Sequence, residues 1–202
     1  MHSRHRRAHG DSGATLLESA IVTPVLLLFI FGIFEFGFAF RDYLTVANST
    51  RDAARESSVA GNVLDADYRM LRAIERGSAA LSDDAIERIV VWEASGPSDT
   101  VPSSCANGTA DDGTGGEYCN VYSSADLATP ETNFGCQSIA AGDPVDSPDR
   151  FWCPGDREVS VGTGLDYVGV YVRITHEYIT GLFGDDVVFE DQMILKVEPQ
   201  EQ

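Results

Sequence analysis

From Ser19 to Phe40 the chain runs apolar with one ionisable interruption, Glu35, and this run constrains the fold more than any other feature. As a helix it rises about 33 Å, enough to cross a hydrocarbon core of about 30 Å. Glu35 lies in Gly32-Ile33-Phe34-Glu35-Phe36-Gly37. An acidic residue at the centre of a span costs roughly 2.5 to 3.5 kcal/mol, and less near an interface. One helix therefore tolerates it. Gly32 and Gly37 allow close helix approach, so one reading gives Gly32, Glu35 and Gly37 to intramembrane helix packing. The other is a protonated or snorkelling carboxylate with no further role.

Ahead of the run stands Met1 to Ser12, polar, with Arg4, Arg6 and Arg7 and no apolar periodicity. It reads as a leader. Gly13-Ala14-Thr15-Leu16-Leu17-Glu18 follows. A basic stub, a glycine, a glutamate five positions on and one long apolar helix form the layout of a type IV prepilin. Cleavage after Gly13 would leave the Ala14 amine as a new positive charge, and Glu18 of a neighbouring subunit could neutralise it, selecting the axial register between packed helices. Alternatively, Glu18 is a boundary carboxylate favoured by the helix dipole. An ordinary signal peptide cut after Thr45-Val46-Ala47 fits poorly, because the run exceeds a normal apolar region and Arg41-Asp42 intervenes. An uncleaved signal anchor is a further alternative.

Arginines give no orientation, since Arg41, Arg51 and Arg55 follow the span as closely as the other three precede it. Cysteines do. Cys105, Cys119, Cys136 and Cys153 all lie after the span, an even number in a loop-rich stretch, as expected of disulfides in an oxidising compartment. The expectation is a single-pass cell-membrane protein with a cytoplasmic N-terminus and an extracellular or periplasmic C-terminal domain. Neighbouring pairing, Cys105 with Cys119 and Cys136 with Cys153, closes the shortest loops, although four cysteines allow three connectivities. The formal net charge is -18, with a single lysine, Lys196, so no basic groove exists for nucleic acid. An acidic exterior domain keeps a protein soluble or meets a basic partner.

The helical pattern continues past the span, with Leu44, Ala47, Ala54 and Val46, Ala53, Ala60 forming a small-residue stripe flanked by Arg51 and Arg55. One helix from about Thr15 to Ala60 is expected, stopped by Gly61. A second follows from about Ala66 to Ala80, with Tyr68, Leu71, Ile74 and Leu81 on its apolar side. Strand signals lie at Ile86–Glu93, Tyr167–Ile179 and Val187–Val197, the last two joined across Thr180–Asp186 as a hairpin. The fold class is α+β: a long N-terminal helix, a second helix, a small antiparallel sheet of about three strands and a long disulfide-bearing loop over 94–165. The division is a cytoplasmic leader at 1–13, a transmembrane and extended helix at 14–60, and an exterior domain at 61–202.

Catalytic and cofactor motifs are missing. The cysteine spacings are too wide for zinc and His176 is remote from them. Asp111-Asp112-Gly113-Thr114-Gly115-Gly116-Glu117 lacks EF-hand spacing and reads as a solvated turn. Neither a nucleophile elbow nor a phosphate-binding glycine loop occurs, and a lone strand histidine is more often structural or exposed than a general base. No enzyme, metal or cofactor reading follows.

The N-terminal third resembles the TadE-like pseudopilins of tight-adherence (Tad, or Flp) pilus systems. The matching elements are Gly13 to Glu18, Pro24 within the run, Gly32 to Gly37, and Asn48-Ser49-Thr50-Arg51-Asp52-Ala53-Ala54-Arg55. Glu56-Ser57-Ser58 departs from the glycine and small residues usual after the last arginine in that family. The resemblance implies a minor pilus subunit, processed by a prepilin peptidase and working with other pilus subunits at the membrane. It does not reach the cysteine loop. A type II secretion pseudopilin and a membrane-tethered binding module stand as alternatives.

Overall fold

The computed structural model describes residues 11–82, 84–136, 147–162 and 164–199. The leader reading falls almost wholly on residues 1–10, outside the described residues, as does part of the cysteine loop, 137–146. Helix α1 runs Asp11–Ala60, 50 residues or about 75 Å. Gly61 ends it with φ 61°, a left-handed conformation that costs glycine nothing, while its N–H returns to Ser57 O at 3.1 Å. Helix α2, Ala66–Gly77, packs on the outer half of α1. The approach is close: a Cβ on Gly77 would lie 2.8 Å from Ser49 Cβ.

The sheet contains β1 (Ile86–Ala94), β2 (Asp111–Asp112), β3 (Tyr118–Tyr122), β4 (Tyr167–Glu177) and β5 (Asp186–Lys196), in the spatial order β2-β3-β1-β4-β5 and antiparallel throughout. The sequence predicts about three strands, and the described residues form five. The two extra strands lie inside the cysteine loop. β2 is only Asp111–Asp112, and β3 carries Asn120 at its centre, so neither offers the apolar alternation by which strands are recognised. The second helix is also a turn shorter than its apolar pattern suggested.

Ile89-Val90-Val91-Trp92 is apolar without a break because β1 is central and buried on both faces. Ile89 and Val91 join Val46, Ala53 and Ala54 of α1, Leu71 and Ile74 of α2, and Val168, Val170, Val172 and Ile174 of β4 in the main core. Val90 and Trp92 face the other way into a smaller cluster with Ala94, Tyr171, Cys105 and Cys119. In the register Trp92 stands opposite Gly169, where a Cβ would lie 2.3 Å from the indole. Glycine is required there by the neighbouring ring.

Cys105 of the short helix α3 (Ser103–Ala106) bonds to Cys119 of β3, and Cys136 bonds to Cys153. A buried polar network ties this loop to α2. The Asp67 carboxylate accepts from Asn120 Nδ2 at 2.9 Å, Tyr122 Oη at 2.7 Å and Arg157 Nη2. Asn120 also accepts from the N–H groups of Phe151 and Trp152 at 3.1 and 2.9 Å. Arg157 stacks over the Trp152 ring at 4.4 Å. Burial, and the Asp67 carboxylate beside it, push the Tyr122 phenol well above its usual pKa.

Candidate functional site

The exposed part of α1 begins the site. Residues 13–31 are exposed without exception, and a stretch of mean hydropathy 2.3 has none of its residues buried. A core helix of a water-soluble domain would hide such a face; this one is long and apolar enough to cross a membrane. Gly13 has open space where a Cβ would stand, and Ala14 and Glu18 are exposed.

From residue 32 outward, one stripe of α1 becomes buried: Gly32, Glu35, Ala39, Asp42, Val46, then Ser49, Thr50 and Ala53. Steps of three and four place these on one helix face. That face lies against β4, β5 and the loop between them, Tyr178 to Asp185. Two acidic side chains seven positions apart therefore look at the same hairpin, and each is answered differently. Glu35 accepts the backbone N–H of Ile179 at 2.9 Å and that of Thr180. Asp42 meets His176 Nδ1 at 2.7 Å and Arg41 Nη2 at 2.8 Å.

Apolar contacts continue the same seam. Phe183, in the hairpin loop, lies with its ring 5.0 Å from that of Phe36, and a Cβ on Gly32 would stand 3.3 Å from Phe183 Cζ. Tyr43 meets Phe189 of β5 edge-on at 5.7 Å. Gly37 faces open space. Of the three residues given to helix packing, Gly32 and Glu35 thus face the chain's own hairpin, and Gly37 does not.

Sequence reasoning found Glu35 but not its partners, because a backbone N–H in a loop has no signature in residue type. The pairing of Asp42 with His176 was equally hidden, although the seven-residue spacing of Glu35 and Asp42, with Ala39 between, is a signal that one face of the helix is occupied. The cysteines stand at the other end of the sheet. Cys119 is in register with Trp92, and Trp92 with Gly169, whereas the hairpin loop begins after Glu177. That places the first disulfide roughly 26 Å along β4 from the loop.

No curated protein and no solved structure matches the chain. Over residues 13–55, which hold the exposed apolar helix and the start of its packed half, the chain matches the family model described as TadE-like protein.

Proposed function

We propose that the protein is a minor pilin or pseudopilin, a single-pass membrane protein that takes part in assembling a tight-adherence, type IV-like pilus. The TadE-like match over 13–55 carries this reading, and the geometry supports it: 13–31 is exposed to solvent while 39–60 packs along the domain. A helix half free and half docked is what lateral assembly of subunits in a membrane calls for. The N-terminus is cytoplasmic and the disulfide-bonded domain outside, since the two bonds need an oxidising compartment. A prepilin peptidase cuts after Gly13, and other pilus subunits are the partners, with Gly37, two positions from Glu35 and so on the side of the helix away from the hairpin, at the contact surface.

N-terminal sequencing of membrane-extracted protein from a host that has the peptidase tests this. The chain should begin at Ala14, and Gly13→Leu should block processing, because a side chain then stands where the peptidase meets a hydrogen. A chain beginning at Met1, or after Ala47, rejects the pilin reading.

A further inference from the structure

The loop between β4 and β5 combines two features that water alone does not explain. Its side chains are apolar and open: Ile179 is 72 % exposed, Leu182 54 % and Phe183 41 %. Its position is opposite Gly32 to Phe36, inside the apolar run rather than beyond it, about 6 to 12 Å short of Phe40 along the helix. Around it the helix shows Ile33, Phe36 and Phe40, also exposed. Loop and helix thus form one continuous apolar surface.

An irregular loop enters a membrane only if its backbone polar groups have partners. Here they do. The N–H groups of Ile179 and Thr180 reach Glu35, that of Leu182 reaches Thr180 Oγ1 at 3.3 Å, and that of Tyr178 reaches Asp185 O at 3.0 Å. Glu35 is 1 % exposed, so a carboxylate stranded in an apolar helix and two donors stranded in an apolar loop satisfy one another. Glu177, Asp185 and Asp186 are exposed at the strand ends and limit entry to the tip.

We propose that the β4–β5 hairpin loop is a membrane-interface anchor, seating Ile179, Leu182 and Phe183 at the boundary of headgroups and acyl chains beside the protein's own span, with Glu35 as its latch. The occupant of the surface is lipid, because the span with which it is continuous is read as lipid-bound; the proposal rests on that reading. Its consequence is a fixed depth and tilt for the domain. Helix and hairpin would enter the membrane as one wedge.

Depth-dependent quenching by brominated phosphatidylcholine separates the two levels of the claim. The full chain is reconstituted in vesicles whose bromines lie shallow or deep along the acyl chains. Tryptophan is introduced by Phe183→Trp, Phe29→Trp or Val161→Trp, and emission of the unsubstituted chain, from buried Trp92 and Trp152, is subtracted. Phe183→Trp should lose more emission to shallow bromines than to deep ones, Phe29→Trp should be quenched by deep bromines, and Val161→Trp by neither. Leu182→Trp repeats the measurement with the Phe183 ring contact intact. If both hairpin variants behave like Val161→Trp while Phe29→Trp is quenched, the anchor is rejected and the span stands; shielding of the tip by a second copy gives this same result. Loss of quenching at Phe29→Trp rejects the span and takes the anchor with it.

Discussion

Asp67 and Glu18 are both carboxylates whose consequences differ because one is enclosed and the other bare. Asp67 and Arg157 are completely buried, so removing one charge leaves the other in a dry site. Asp67→Asn should cost about 3 to 5 kcal/mol, the range for a broken buried pair. Tyr122→Phe removes only one hydrogen bond to the same carboxylate and should cost about 1 kcal/mol. Urea unfolding of the detergent-solubilised chain checks the pair; equal midpoints for the two variants would show that the charge pair is not what matters. The sequence announces none of this network, since Asp67, the β3 pair Asn120 and Tyr122, and Arg157 are far apart in the chain and ordinary in type. The reading of Glu18, by contrast, rests on its spacing to Gly13, and its exposure leaves room for a neighbour. In the pairing reading, Glu18→Gln leaves insertion and cleavage intact but leaves a neighbour's Ala14 amine unpaired. Piliation and co-purification with other subunits should then fall sharply, and a normal pilus count would reject the pairing.

At the scale of elements, long periodic segments were readable and short polar ones were not. α1, β1, β4 and β5 each carry a run of apolar residues whose period or length identifies them. β3 failed that test because Cys119 and Asn120 are buried for a disulfide and a polar network rather than for hydrophobicity. The cross-strand fit at Trp92 and Gly169 was likewise invisible, because register between strands separated by a long loop is not written in either strand. It makes a sharp prediction. Gly169→Ala puts a methyl group into the space of a fully buried indole that has little room to turn. Overpacking of this kind costs about 1 to 3 kcal/mol, which lowers the melting temperature by roughly 2 to 4 °C per kcal/mol in a chain of this size. Scanning calorimetry measures it, and an unchanged melting temperature would mean that the indole moves freely.

Across the whole molecule, the hairpin loop lies at one end of the sheet and the disulfide-bearing loop at the other. The acidic, cysteine-stapled end therefore stands away from the lipid that the span requires. The two bonds have unequal parts in this arrangement. Cys105–Cys119 sits in the smaller cluster beneath Trp92, on the sheet face opposite the main core, whereas Cys136–Cys153 closes a loop that Asp149 also holds through the N–H groups of Gly135 and Cys136 at 2.7 and 3.1 Å. In the chain-entropy account each bond stabilises by about 3 kcal/mol for a loop of about 15 residues. Reduction should accordingly loosen the loop end first while α1, α2, β1, β4 and β5 keep the main core, which contains none of the cysteines. Hydrogen exchange before and after reduction reads this directly: protection should fall in β2, β3 and α3 and persist in β4. Exchange that rises together over the whole sheet would instead make the disulfides a condition of the entire domain. Alkylation and intact-mass measurement of protein from an oxidising compartment supply the companion test. No thiol should be free, and two or more accessible thiols would remove both the pairing and the reason for placing this end outside the cell.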